Sequence, residues 1–168
     1  MSTLTTIGPK TGAIRTMTGN MNNAPDSPDA RIAETPSTVP RLQLESLRVE
    51  RDRIVAMVRV GDPTHAMTDA ELAGKAVKLH PDLPIHTCVN GVGPTFGTVL
   101  AHTPLPHLLE HVVVDMQTAR CPDPDRVFTG ATRWVDRRHG LAQIEVSYAD
   151  DIAALRAFRD AVQQLNAL

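Results

Sequence analysis

The chain has 168 residues, 42% hydrophobic but only 3% aromatic, which suits one globular domain with an aliphatic core. Its 17 basic and 19 acidic residues give a net charge of −2, which argues against a nucleic-acid partner. Two cysteines form no disulfide framework, and no apolar run approaches the roughly 20 residues of a membrane span. We therefore expect a cytoplasmic protein with no membrane partner.

Residues 1–40 are rich in Thr, Asn, Ser, Pro and Gly, and their apolar residues follow neither a strand nor a helix period. This composition predicts a disordered leader, either a passive tail or a docking segment for a larger partner. The leader has no apolar stretch of the kind that marks a signal peptide. We expect one ordered domain, from residue 41 to residue 168.

Alternating and β-branched runs predict strands in the ordered part, and periodic apolar residues predict helices. The predicted elements are a hairpin (42–49 and 54–60), a helix (69–79), a short strand within 83–90, a helix (105–119), a second hairpin (131–136 and 141–148) and a last helix (151–166). Thr68 or Asp69, Thr103, and Asp150 or Asp151 are suited to cap the three helices. The order ββα(β)αββα predicts an α+β fold, a mainly antiparallel sheet with helices packed on one face.

The second predicted helix contains the motif H-x-x-E-H, formed by His107, Glu110 and His111. Residues four apart are neighbours on a helix surface, so both imidazoles would point the same way and could bind one metal ion. Glu110 shares that face and would act as the catalytic proton carrier. The same order of residues is found in the inverzincin peptidases. The motif therefore predicts a zinc site, whereas the alternative is a pair of histidines that only border the core.

A catalytic zinc takes three protein ligands, and the helix supplies two of them. His86 and Glu145 are the candidates for the third ligand. Asp115 lies one further turn along the helix, where it is better placed to hold an imidazole N–H than to bind the metal. Arg133 is the candidate for binding a substrate carboxylate, with a plain strand residue as the alternative. Cys88 is expected to be a small buried residue, and His80 a loop or surface residue.

Several segments in one order resemble the N-terminal domain of cyanophycin synthetases. The run from His107 to Gln117 is similar to that domain's H-[VI]-x-E-H-x-A-L-E-L-Q, and Leu83 to Cys88 to its L-x-x-H-x-C. Phe128 to Arg133 is similar to F-G-x-T-R, with the glycine displaced, and Tyr148 to Asp151 to the start of its last helix. The likeness covers about residues 41–168, although Asp115 stands where the family usually has glutamate.

The resemblance implies an α+β domain that precedes an ATP-grasp and a Mur-ligase-like domain in the full synthetases. Those two parts make a polymer of aspartate and arginine, and this chain contains neither of them. In the family the N-domain helps to hold the polymer, and some members resemble metallopeptidases that cut it. The main expectation is thus a zinc-dependent, metallopeptidase-like hydrolase acting on a peptide or isopeptide.

Two further functions fit the same residues. The first is a non-catalytic module that docks on a separate ATP-dependent ligase chain, of ATP-grasp or Mur-ligase-like type. The second is an assembly protein that uses the fold as a scaffold for a homo-oligomer. Bound zinc would favour the hydrolase, whereas a stable complex with a ligase would favour the docking module.

Overall fold

The computed structural model of the chain describes residues 3–7 and 39–168, and these residues form strands and helices in the predicted α+β arrangement. The elements in chain order are β1 (Thr3–Ile7), β2 (Leu42–Val49), β3 (Arg53–Val60), α1 (Ala70–Leu79), β4 (Thr87–Cys88), α2 (Leu105–Arg120), β5 (Phe128–Asp136), β6 (Leu141–Ser147) and α3 (Asp151–Asn166). Short 3-10 turns fill much of the connection from α1 to α2.

The strands form a six-stranded sheet in the order β2-β3-β6-β5-β1-β4, and every neighbouring pair is antiparallel. The two predicted hairpins, β2–β3 and β5–β6, meet in the sheet through the pairing of β3 with β6. Gly140 closes the second hairpin with a φ of 67°, a left-handed conformation that glycine adopts without steric cost. The fold class predicted from the sequence is therefore confirmed.

One face of the sheet carries the core and the other is polar. In β6 the side chains of Ala142, Ile144 and Val146 are buried, while the residues between them are half-buried. This alternation follows from the two-residue period of a strand and places α2 and α3 over one face. The core is aliphatic as expected, with three phenylalanines, Phe96, Phe128 and Phe158, fully buried in it.

The beginning of the chain contributes a strand. Thr3–Ile7 pairs with Phe128–Thr132 of β5 on one side and with Thr87 and Cys88 of β4 on the other. For these five residues the prediction of a disordered leader was wrong, because a partner strand supplied by the fold outweighs a weak local pattern. The rest of the predicted leader, residues 8–38, lies outside the described residues.

Two of the three helices begin at a predicted cap. Asp69 Oδ1 accepts a hydrogen bond from Leu72 N at 2.7 Å, and Asp150 Oδ1 accepts one from Ala153 N at 2.7 Å. Helix α2 has no side-chain cap, because Pro104 occupies the N-cap position and has no side-chain acceptor; the predicted cap Thr103 lies one residue earlier, and its hydroxyl contacts His107. Within the described part of the chain, no helix is long and apolar enough to cross a membrane. The cytoplasmic location stays a prediction.

Candidate functional site

Helix α2 is buried on all sides over most of its length. Every residue from Leu105 to Gln117 is buried, although the sequence predicts a helix with one apolar face. His107, Glu110 and His111 are 4%, 0% and 0% exposed. The sheet covers one side of the helix, and Phe96, in the connection before α2, covers the imidazoles. The H-x-x-E-H residues are therefore internal.

The two motif histidines lie together, as the helical spacing predicts. Their ring centroids are 4.9 Å apart, and the Phe96 ring stacks on His111 with centroids 3.7 Å apart and an interplanar angle of 13°. Thr103 Oγ1 lies 2.7 Å from His107 Nδ1 and holds that nitrogen. This contact directs the other ring nitrogen of His107 towards β4.

Cys88 of β4 joins the histidine pair. Its Sγ lies 3.5 Å from His107 Nε2, and donor atoms of Cys88, His107 and His111 all lie within 4.8 Å of one another. Zinc binds thiolate sulfur and imidazole nitrogen as ligands, so the residues present fit a metal ion. These three residues could hold a metal, which makes this cluster the candidate metal centre.

Glu110 faces the sheet. Its Oε2 accepts a hydrogen bond of 2.5 Å from the Thr132 hydroxyl in β5. Gly130, two residues earlier on the same face of β5, lies against the carboxylate, since a Cβ placed there would be 2.7 Å from Oε1. The structure thus brings the predicted proton carrier next to the two histidines, on the same buried helix, but fixes its carboxylate against the strand.

Asp115 reaches the histidine pair only through another imidazole. Its Oδ2 lies 2.9 Å from His80 Nδ1, within hydrogen-bonding distance. Its Oδ1 lies 3.4 Å from His86 Nε2, but the two atoms do not form a hydrogen bond. His86 in turn places Nδ1 3.2 Å from Nδ1 of His111. A buried chain of polar groups therefore runs from His80 to His111.

Two predicted site residues lie elsewhere. Glu145 is on the face of the sheet opposite α2, where its Oε2 accepts a hydrogen bond from Arg53 at 3.1 Å. Arg133 is on that same face, with its Nη2 donating to Gln143 Oε1 at 2.7 Å. Since neighbouring strand residues point to opposite faces, the Glu145 side chain is not brought to the histidines, and Glu145 as a third ligand does not fit the structure. Arg133 borders a cavity that also reaches His107, and its role as a substrate-binding residue stays a prediction.

Burial changes the proton affinities of the cluster. It lowers the pKa of His107 to about 4. Burial, and then the nearby His107 and His86, lowers the pKa of His111 well below its usual range. For Cys88, burial raises the pKa of the thiol. Both motif imidazoles are thus neutral near pH 7, which is the form that binds a metal.

A cavity of about 290 Å³ opens beside the cluster, and His107 and Thr132 form part of its wall. Among the other lining residues, Met67, Val99, Pro104 and Trp134 are apolar, and His102, Arg133 and Arg137 are basic. Arg133 borders this cavity, yet its guanidinium is held by Gln143 on the other face of the sheet. The cavity is therefore an approach to His107 rather than a formed pocket around Glu110.

Cys88 and His80 are the residues that the sequence analysis missed. His86 and Cys88 are two apart and both 2% exposed, whereas Thr87 between them is exposed, so the strand period places them on one face. That spacing was the available signal for Cys88. His80, expected in a loop or at the surface, is 7% exposed and bonded to Asp115. Nothing local predicts this, because Asp115 is 35 residues away.

The geometry describes an α+β domain with a buried Cys/His/His cluster and an adjoining glutamate. A family model described as the cyanophycin synthase-like N-terminal domain matches residues 58–168, which is more than half of the chain. The chain belongs to this family, and the resemblance predicted from its motifs is confirmed. Neither a curated protein nor a solved structure matches the chain.

Proposed function

We propose that this chain is a non-catalytic binding module that docks on a separate peptide ligase chain of ATP-grasp or Mur-ligase-like type. Its family takes its description from the N-terminal domain of a synthase. A domain that is fused to a ligase in one protein can serve the same ligase as a separate chain, provided that an interface replaces the covalent link.

One observation carries this proposal, namely the burial of the H-x-x-E-H residues. Glu110 and His111 are 0% exposed, and the Glu110 carboxylate is occupied by Thr132 and packed against Gly130. A general acid or base must come within hydrogen-bond reach of the substrate atom that it serves. In this arrangement the packing around Glu110 favours a structural role for the motif.

The connection around β4 offers a surface for the ligase. Ile85, Val89 and Val92 are 74%, 63% and 73% exposed, and they flank the two-residue strand β4 at the edge of the sheet. Exposed aliphatic side chains grouped in this way favour a protein partner.

The test is binding to a purified cyanophycin-type ligase that lacks its own N-terminal domain, measured by calorimetry and by polymer synthesis. The full chain should bind and raise synthesis, while serine at Ile85, Val89 and Val92 together should weaken binding at least tenfold. Serine at Ile152, which is 52% exposed in α3, is the matched control and should bind normally. If the unaltered chain neither binds nor raises synthesis, the docking proposal is wrong.

The second candidate is a zinc-dependent hydrolase of a peptide or isopeptide, favoured by the cavity that reaches His107 and Thr132. His107 and His111 would hold zinc, which when bound supplies Lewis acidity and an ionised water near neutral pH. Glu110 would then carry a proton to the leaving amine. Hydrolysis of a β-aspartyl-arginine peptide that Glu110→Gln abolishes would establish this candidate over the docking module.

A further inference from the structure

The cavity of about 290 Å³ has an excess of basic residues on its wall. His102, Arg133 and Arg137 line it and are exposed, and among the described residues that line it none is acidic. A cleft whose charged groups share one sign concentrates its field on a ligand of the opposite sign. The cavity therefore favours an anion, although the chain as a whole has a net charge of −2.

The basic side chains at this cavity have no carboxylate of their own. Arg133 Nη2 donates to the amide oxygen Oε1 of Gln143 at 2.7 Å, so its partner is neutral. Within the described part of the chain, the side chains of His102 and Arg137 form neither a hydrogen bond nor an ion pair. Both guanidinium groups are positively charged, and that of Arg137 is available to bind an anion from outside.

The wall of the cavity also offers apolar contacts. Met67, Val99 and Trp134 line it together with the basic residues. Its volume of about 290 Å³ is close to the lower end of the range of about 300–1,000 Å³ that small-ligand sites occupy. A group that fills this space combines an acid with a small apolar part, as two neighbouring side chains of a protein segment do.

The position of the cavity connects it with the proposed docking surface. Asn90 lines the cavity and follows Val89 directly, and Val89 and Val92 are 63% and 73% exposed. Asn90 Oδ1 accepts hydrogen bonds from the backbone N–H groups of Val92 and Gly93 at 2.8 and 2.9 Å, which fixes this loop beside the cavity. A partner that covers the two valines therefore reaches the cavity as well.

We propose that the cavity accepts an acidic side chain of the partner chain, with Arg137 binding its carboxylate and His102 donating a further hydrogen bond. The apolar neighbour of that acidic residue packs against Trp134. A guanidinium binds a carboxylate through two parallel hydrogen bonds, which makes such a contact specific. This inference rests on the proposed docking function and names the chemistry of the partner, an acidic segment with apolar residues beside the acid.

The fluorescence of Trp134 reports on this cavity, because it is the only tryptophan of the chain. The probe is a capped pentapeptide that alternates leucine with glutamate, titrated into the full-length protein. It should change the emission and bind more weakly as salt rises from about 0.05 M to about 0.5 M, since salt screens exposed charges. Inorganic phosphate, and the same peptide with glutamine in place of glutamate, should bind roughly tenfold more weakly or less.

Arg137→Gln should weaken binding of the glutamate peptide about tenfold, the effect of losing one hydrogen bond between charged groups. Arg138→Gln is the matched control, because Arg138 is exposed in the same turn but does not line the cavity. Equal affinity for the glutamate and glutamine peptides, equal affinity for phosphate, or equal effects of the two substitutions would overturn the assignment.

The cavity inference and the docking proposal fail in different ways. With the ligase that lacks its own N-terminal domain, Arg137→Gln should weaken docking, whereas Arg138→Gln should not. Unchanged docking of Arg137→Gln would overturn the cavity inference and leave the docking proposal standing. A chain that binds the glutamate peptide through Arg137 but does not bind the ligase would instead overturn the docking proposal.

Discussion

The backbone of Gly130 lies directly against the side-chain carboxylate of Glu110. A Cβ at residue 130 would be 2.7 Å from both Cγ and Oε1 of that glutamate, closer than real atoms approach. Strand β5 therefore needs glycine here so that α2 can pack with its glutamate turned to the sheet. The requirement is one of space, not of an unusual backbone angle.

Gly130→Ala should accordingly destabilise the protein, because the added methyl group must push the Glu110 side chain away from Thr132. Overpacking of this kind costs about 1–3 kcal/mol in the free energy of unfolding. Urea titration followed by circular dichroism measures it. The control is Gly74→Ala in α1, where nothing lies within 4 Å of the new methyl group, and which should be neutral or stabilising by up to about 1 kcal/mol. Equal stability of the two variants would contradict the steric argument.

Thr132→Val should remove the hydroxyl that donates to Glu110 while keeping the shape of the side chain. Since the glutamate is fully buried, the loss of this donor should cost roughly 1.5–3 kcal/mol. Thr132→Ser keeps the hydroxyl and should therefore keep most of the stability that Thr132→Val loses. Thermal unfolding of the three proteins side by side measures the effect, and a serine variant as unstable as the valine variant would show that the methyl group matters instead.

Phe96→Ala should be the most destabilising single change beside the candidate metal centre. The ring is fully buried and stacks on His111, and removing a buried phenylalanine side chain costs about 3–5 kcal/mol. Phe158→Ala in α3 is the matched control for the volume lost. Both variants should lose stability, but only Phe96→Ala should also weaken Zn²⁺ binding. Equal Zn²⁺ affinity of the two variants would argue against a role for the stacked ring in orienting His111.

The contact between His80 and Asp115 should make stability depend on pH. Burial opposes the charged imidazole, but hydrogen bonds to Asp115 and Gln164 outweigh it and raise the pKa of His80. Burial also opposes ionised Asp115, yet the hydrogen bond with His80 and the nearby imidazole of His86 hold the pKa of that carboxyl well below its usual value.

The signs of these shifts fix the expected pH window. A histidine whose pKa is raised in the folded state stabilises the fold fully at a pH below its unfolded-state pKa of about 6.5. That contribution disappears as the pH rises through the folded-state pKa. An aspartate whose pKa is lowered in the folded state stabilises the fold at a pH above its unfolded-state pKa of about 4. That contribution disappears as the pH falls through the folded-state pKa. The pair should therefore stabilise most between about pH 4 and pH 6.5.

His80→Gln tests this window by urea unfolding of metal-free protein from pH 5 to pH 9. The variant should lose roughly 3 kcal/mol at pH 5.5, as expected when one partner of a buried ion pair is removed, and less at pH 9. His65→Gln, in a 3-10 turn at the surface, is the control and should follow the unaltered protein. A difference between His80→Gln and wild type that does not change with pH would contradict a charged His80.

The sequence predicted the local structure well where the signals were local. Hydrophobic period and capping residues located the three helices to within a residue or two, and turn residues located both hairpins. The H-x-x-E-H spacing correctly placed His107, Glu110 and His111 close together, because a helix fixes that relationship by itself. Whether these residues bind zinc or take part in catalysis stays a prediction.

The contacts between distant segments were out of reach of the same reasoning. Cys88 meets His107 only because the connection before α2 folds back over the helix, and His80 meets Asp115 across 35 residues. For Glu145 and Arg133, polarity alone did not indicate which face of the sheet they occupy. Knowing the register would have assigned both to the open face, since their strand neighbours Ile144 and Thr132 are buried.

Strand β1 has a practical consequence for anyone who shortens this chain. It lies between β5 and β4, and β4 touches the sheet only through β1. A chain beginning at Arg41, the boundary that composition suggests, would keep α1, α2 and α3 but would remove β1, an interior strand of the sheet. Cys88 would then lie on a segment that is no longer paired with the sheet, so we expect a trimmed protein to lose affinity for zinc or a ligase even though the buried helix is intact.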